Sequence, residues 1–275
     1  MPITGGIKFF DKSLSLARDG ASAVASSNTG AADHVISMQR SARWDSVGSD
    51  DTTLETITIN LAPTKTMTID RLFIITHNLL DFSVTYVAGA TDFTSVVGIN
   101  GPLGGGIVET AFAQNTAYYE FDEVTTDQIN VQALKTQIPD QEKFITLVAT
   151  TKELGTFEGF PNISPSLDNN ERRSTVESGK IITRKGFETY SSGIRFEHTN
   201  QADLDLLNLL YDRLNPFLIW QCGGRFGTQF FSVEQKTWRL EDLYQVQTSG
   251  SLPTSFNKNV YVMAPKTNLR LKEEV

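Results

Sequence analysis

Cysteine is almost missing: Cys222 is the only one in 275 residues. A single thiol excludes an intramolecular disulfide and any metal cluster built on thiolates. Histidine is nearly as scarce. His34, His77 and His198 stand at unrelated places, without the paired spacing that a zinc site needs. No stretch reaches the ~18 apolar residues of a membrane span, and Met1-Pro2-Ile3-Thr4-Gly5-Gly6 lacks the charged-then-apolar order of a secretory leader. Positive charge is outnumbered, with 24 Lys and Arg against 32 Asp and Glu and a net charge of −8. That balance disfavours non-specific nucleic-acid binding. Gly-Xaa-Ser-Xaa-Gly elbows are absent. The glycine-rich run Gly98 to Gly106 lacks the Lys-Ser/Thr ending of a phosphate loop, and no helical pattern follows it. With no disulfide to form, folding in a reducing cytoplasm is the expectation, and no cofactor or metal is expected.

What the sequence does have points to β structure. Hydrophobic residues make up 39%, charged residues 20% and aromatics 10%, 17 of them Phe. This is a globular composition, long enough for two domains. β-Branched residues gather in short runs. From Leu54 to Leu61 the alternation is strict: Leu54, Thr56, Thr58 and Asn60 fall on one face, and Glu55, Ile57, Ile59 and Leu61 on the other. A strand with one buried side reads this way. Leu72 to Ile75 is apolar throughout, so both its faces should be covered. A polar break at His77-Asn78 precedes a further alternating strand through Phe82, Val84 and Tyr86. Together these predict a β-sandwich.

The predicted organisation is an N-terminal arm over 1–30, a sandwich over 31–154, a polar linker over 155–179 and an α+β domain over 180–275. The linker reading rests on Gly159, Pro161, Pro165 and Glu171-Arg172-Arg173. Within the arm, Ile7-Lys8-Phe9-Phe10 could add a strand to its own sheet or a neighbour's. In the last domain, strands are predicted at 180–184 and 193–198. A helix then starts at Thr199-Asn200 with Asp203 in its first turn, and Asn215-Pro216 ends it. Leu204, Leu207, Tyr211 and Leu214 form its apolar stripe. The buried strand Phe217 to Cys222 follows, then strands near 230–233, 236–240, 244–246, 259–263 and 268–272. The fold class is therefore mainly β, with one helix packed on a small antiparallel sheet at the C-terminal end.

Two family resemblances accompany this reading. Trp44, Ser46 and Gly48, then Ile57, Ile59 and Leu61, then Leu72 to Asn78, then Phe82, Val84 and Tyr86 resemble discoidin-like (galactose-binding-like) jelly-roll domains over roughly 31–150. Such domains bind or scaffold and are rarely catalytic. Ile194 to His198, Asp203-Leu204 to Leu207 and Pro216 to Trp220 resemble the tail-tube-like and distal-tail proteins of tailed bacteriophages, over about 176–272. That resemblance implies a virion tail or tail-tip location, a ring of identical copies, other tail proteins as partners, and a host surface glycan as a possible contact.

Two constellations point to binding. Trp44 with Asp45, Asp50 and Asp51 stands in the loop that closes the barrel in discoidin-like domains. There an indole face stacks on sugar rings, and carboxylates accept sugar hydroxyls or hold a calcium ion. The alternative is that Trp44 is a buried plug and the aspartates cap a turn. The second is the loop with Arg225, Phe226 and Phe230, either a subunit contact or a hairpin folded under its own sheet. Glu120, Asp122 and Glu123 form one carboxylate cluster that a glycan-degrading enzyme could use, and Asp50 with Asp51 another, though solvated loop charges explain both more simply. The expectation is a non-catalytic structural protein of a phage tail. A free carbohydrate-binding lectin is the alternative, and a glycan-degrading enzyme the less favoured one.

Overall fold

A computed structural model describes residues 7–11, 20–37, 42–61, 66–86, 93–98, 101–103, 105–157, 162–169, 172–175, 181–184, 188–196, 201–212, 217–221, 243–248, 254–255 and 266–273. The chain divides into two compact units, one of Met1–Thr4 with Ser13–Glu153 and one of Gly5–Lys12 with Leu154–Val275. The first strand, β1 (Ile7–Asp11), belongs to the second unit. The first unit then runs through β2 (Ser22–Ala25), a 3-10 helix (Thr29–Ile36), β3 (Trp44–Asp45), β4 (Glu55–Asn60), β5 (Met67–His77) and β6 (Leu79–Tyr86). It continues with β7 (Val97–Gly98), β8 (Gly101–Pro102), β9 (Ile107–Glu109), β10 (Thr116–Thr126), β11 (Gln128–Thr136) and β12 (Phe144–Thr151).

These strands make a six-stranded sheet in the order β3-β12-β5-β10-β7-β8 and a five-stranded sheet in the order β2-β4-β11-β6-β9. Apart from the β7–β8 hairpin, each strand lies in the sheet opposite to its predecessor. That weave is what a jelly-roll sandwich requires. The alternation of β4 appears as burial: Glu55, Ile57 and Ile59 are inside, and Thr56, Thr58 and Asn60 are half-buried on the outer side. In β5, Leu72, Phe73 and Ile74 are all fully buried, so both faces of the six-stranded sheet are covered there. The core between the sheets holds Ile57, Ile59, Leu72, Ile74, Phe82, Val84, Tyr119, Ile129, Val131 and Val148.

The polar break at His77-Asn78 is a corner between the two sheets. β5 ends at His77, β6 begins at Leu79, and Asn78 alone makes the crossing. Thr76 adopts a left-handed φ of 51° just before it. Asn78 holds the corner by accepting the Phe144 N–H at 2.8 Å and donating to the Glu142 carbonyl at 2.8 Å. The stretch read as an arm contributes strands to both units. β1 pairs with β18 (Phe217–Gln221) of the second unit, and β2 pairs with β4. The edge strand β2 is covered by the 3-10 helix, whose Asp33 carboxylate accepts the Ala23 N–H at 2.8 Å. An edge satisfied in this way does not recruit a further strand.

In the second unit, β13 (Glu153–Phe157), β14 (Asn162–Asn169), β15 (Arg172–Thr175), β16 (Ile181–Arg184) and β17 (Glu188–Phe196) precede α1 (Gln201–Asp212). After it come β18 (Phe217–Gln221), β19 (Leu243–Thr248), β20 (Thr254–Ser255) and β21 (Lys266–Glu273). The main sheet has the order β13-β1-β18-β19-β21-β17-β14, with β20 beside β21, while β15 and β16 pair separately. The stretch 155–179, expected as linker, thus supplies strands. Its Pro165 lies in β14, at the sheet's end, where a strand needs no donor on its outer side. Phe9 and Phe10 of β1 are fully buried. So are Leu207 and Leu210 of α1. Helix and sheet approach closely: a Cβ on Gly155 of β13 would lie 2.7 Å from a Leu206 methyl. This is the mainly β, helix-on-sheet class that the strand and helix pattern implies. The strands expected near 230–233, 236–240 and 259–263 lie outside the described residues.

Candidate functional site

The loop singled out in the sequence is a structural clamp. Trp44 is 0% exposed, and its indole N–H donates to the Ser27 carbonyl at 3.0 Å. No face of the ring is open to a sugar. Of the two readings of this residue, the plug is the one the geometry fits. Asp45 is ion-paired with Arg43 at 2.8 Å. One oxygen of Asp50 accepts from the backbone and hydroxyl groups of Thr52 and Thr53. Hydrogen bonds from the Thr52 hydroxyl foremost pull its pKa down to about 2. Burial opposes ionisation of Asp51, but the Thr136 N–H and hydroxyl, both at 3.0 Å, hold its carboxyl below the usual range.

The loop is locked from the other side by Lys143, which is fully buried. Its ammonium donates to Ser49 Oγ at 2.7 Å and to the Asp50 carbonyl at 2.6 Å. Ser46 and Lys143 exchange two further bonds at 2.8 Å, Ser46 N–H to the Lys143 carbonyl and Lys143 N–H to Ser46 Oγ. Gly48 turns the loop at φ 66°. A calcium ion does not fit this donor set. The carboxylates are engaged by threonines and arginine, and an ammonium already stands among the oxygens a hard cation would use. Among the described residues, no group of three or more His, Cys, Asp or Glu is placed to hold a metal ion.

The other sequence candidates separate. Glu120 accepts from the Tyr118 hydroxyl at 2.8 Å, Asp122 from the hydroxyls of Thr94 and Ser95, and Glu123 pairs with Lys152. Each of the three carboxylates thus has a partner of its own. His34 is exposed and its Nδ1 lies 2.9 Å from the Arg43 carbonyl. His77 is buried against Phe82 and Phe112, and burial pushes its pKa down to about 3. Arg225, Phe226, Phe230, His198 and Cys222 lie outside the described residues.

What the sequence reading passed over is the outer face of the five-stranded sheet. Registers across it give rows of outward residues: Ser22, Asn60 and Gln128; then Val24, Thr58, Asn130 and Thr85; then Thr56, Gln132, Ser83 and Val108. All are exposed or half-buried. The rows carry no charge, although the whole chain has a net charge of −8. At the far end Lys135 and Asp81 neutralise each other at 2.9 Å. The polar groups are linked in sequence. Thr58 Oγ1 donates to Asn130 Oδ1 at 2.9 Å, Asn130 Nδ2 to Gln128 Oε1 at 3.4 Å, and Gln128 Nε2 to Asn60 Oδ1 at 3.0 Å. Ser83 donates to Gln132 at 3.4 Å. Each amide has two donors and an acceptor with two lone pairs, so capacity remains on every one of them. The signal was present as the polar half of the alternation, Thr56-Xaa-Thr58-Xaa-Asn60 and Gln128-Xaa-Asn130-Xaa-Gln132.

No protein-family model matches the sequence, and no curated protein does. Solved structures similar to about half of the chain include carbohydrate-binding modules and a fucosidase. A mutant of chitosan-binding module 1 from a Paenibacillus chitosanase/glucanase shares 15% identity, covering 50% of this chain and 97% of the module with a TM-score of 0.39. A family 32 carbohydrate-binding module of Clostridium perfringens NanJ, solved with galactose, shares 14% identity over 53% of this chain and 99% of its own, with a TM-score of 0.38. Another Clostridium perfringens module, solved with GalNAc-β-1,3-galactose, shares 12% identity over 50% and 99%, with a TM-score of 0.37.

Proposed function

We propose that this protein binds and does not catalyse, and that its sandwich takes up a neutral glycan across the open face of the five-stranded sheet. The observation that carries this is the charge-free array of hydroxyls and amides centred on Thr58, Asn130 and Gln132. Nucleic acid would need cations there. A protein partner would need aromatic or arginine anchors. A neutral polyol needs what the face has: many moderate donors and acceptors at the ~4.8 Å repeat between strands. Val24 and Val108, each 56% exposed, give the sugar's apolar side something to lie on. The test is affinity electrophoresis or calorimetry of the full chain on neutral and anionic polysaccharides. Gln132→Lys combined with Asn130→Ala is expected to weaken binding at least tenfold with the fold intact. Equal binding by the variant would remove this face from consideration.

A second reading, assembly within a phage tail, is favoured by one observation. The order strand, helix, strand through β17, α1 and β18 coincides with the residues that carry the distal-tail resemblance. In that reading the second unit forms a ring of copies and joins other tail proteins, after folding in the host cytoplasm, and the sandwich reaches a host glycan from the virion. The readings are separable: negative-stain images of rings or tubes favour assembly, whereas monodisperse single particles that bind glycan favour a free lectin.

A further inference from the structure

The outward residues of the five-stranded sheet repeat at two spacings. Along a strand they stand ~6.7 Å apart, and from one strand to the next ~4.8 Å. The second spacing is close to the length of one sugar in a fully extended polysaccharide. Across the strands the face runs from Val24 on β2 through Thr58 on β4, Asn130 and Gln132 on β11 and Ser83 on β6 to Val108 on β9. The five strands and their four intervals span about 19 Å. Along β11 the outward polar run ends at Gln132, and the Lys135–Asp81 pair closes that direction.

Two features decide what a ligand gains on this face. Its rows hold no aromatic ring, so a single sugar finds no platform to stack on. Its hold must be summed over several units with a few hydrogen bonds each. The polar groups are also set in advance. From Thr58 through Asn130 and Gln128 to Asn60 each group donates to the next, which leaves Thr58 with acceptor lone pairs and Asn60 with amide protons to offer. Side chains already ordered lose little freedom when a ligand arrives. Val24 and Val108 lie on opposite edge strands and are both more than half exposed, so a chain longer than the face can run past either edge.

We propose that this face takes an internal stretch of a neutral, extended β-1,4-linked polysaccharide laid across the strands, about one sugar per strand from Val24 to Val108. The proposal rests on the reading of the face as a glycan site and adds the shape and polarity of the ligand. Equatorial β-1,4 links keep a sugar chain straight enough to follow the strand repeat, whereas α-1,4 links coil it away. No chain end is required.

The experiment is calorimetry of the full chain with β-1,4-linked oligomers of glucose, mannose and xylose from two to six units, beside α-1,4-linked glucose oligomers of equal length. In at least one β-1,4 series, affinity is expected to rise about three- to tenfold with each sugar up to about five units and then to level off. The α-1,4 series is expected to bind about tenfold more weakly at five units or not at all. Val24→Asp and Val108→Asp are surface changes, expected to move the levelling point from about five units to about four with the Tm unchanged within about 2 °C. Equal affinity for two and six units, displacement by the free monosaccharide, or equal binding of the α-1,4 series overturns the proposal and leaves glycan binding by this protein standing. Length dependences of both variants identical to wild type overturn it too. If no β-1,4 series binds, the proposal is again overturned, and neutral polysaccharides of other linkage run alongside decide whether the protein takes glycan at all.

Discussion

Acidification should weaken the sandwich through His77, and the size of the effect follows from its surroundings. The ring is 1% exposed at the corner between β5 and β6. Its Nδ1 accepts the Leu79 N–H at 3.1 Å, so Nε2 carries the proton in the neutral ring. Nε2 has no hydrogen-bond partner, and the flanking groups are the phenyl rings of Phe82 and Phe112, each 5.5 Å away. A second proton would break the bond to Leu79 and place a charge among aromatics. The folded pKa is accordingly pushed down to about 3, against an ordinary 6.5. The sign follows: between these values the unfolded chain binds a proton that the folded chain refuses, so stability falls as pH falls. Stability is whole above pH 6.5. From pH 7 to pH 5 the loss is about 2 kcal/mol, which is about 4–8 °C in the Tm of a domain this size. By pH 3 it reaches about 4 kcal/mol. His77→Gln cannot titrate and can still accept from Leu79, so its Tm should change less between pH 7 and 5 by that amount. Differential scanning calorimetry of both proteins at matched ionic strength measures the difference. Parallel pH dependences, or an NMR titration placing His77 near pH 6.5 in the folded protein, would refute the reasoning.

Other consequences can be measured directly. Trp44→Ala should cost ~3–5 kcal/mol in urea unfolding, because a fully buried indole leaves a cavity and an unpaired Ser27 carbonyl; a cost under about 1 kcal/mol would mean that the ring is not a plug. Asn78→Ala removes two bonds from the corner and should cost about 1–3 kcal/mol, read as a lower urea midpoint at unchanged slope. The Asp50 carboxyl should titrate at about pH 2 by NMR, and replacing both Thr52 and Thr53 with Ala should move it upward toward 3.8. On the outer face, Thr58→Ala and Ser83→Ala should leave the melting temperature within about 2 °C, since half-exposed polar groups contribute little to the core.

Much of the fold could be read from residue order. The alternation from Glu55 to Leu61 and the apolar run Leu72 to Ile75 mark strands because a period of two, or its loss, follows from which faces are buried. The helix at 201–212 was equally visible, with Asp203 at its start. Ile7–Asp11 was harder to place. Five residues carry no information about a partner more than 200 positions away, and pairing with Phe217–Gln221 decides where they go. The same holds for Asn162–Asn169, whose Pro165 reads as a break until the strand is known to be an edge. In the candidate loop, Trp44 and the aspartates were conspicuous as binding chemistry, yet Lys143 lies some ninety residues downstream and changes their meaning. The polar sheet face went unread for the opposite reason. Thr, Asn and Gln at alternate positions look like ordinary solvent-facing residues until β4, β11 and β6 are laid side by side.

If the outer face of the five-stranded sheet is the glycan site, a sugar must touch the chain there. Titrating a neutral oligosaccharide into isotopically labelled full-length protein, with amide shifts followed by NMR, tests this most directly. Perturbations confined to Thr56, Thr58, Ser83, Asn130 and Gln132 are predicted. Shifts gathered around Trp44 and Asp50 instead, or a spectrum unchanged by every neutral and charged glycan tried, would contradict it.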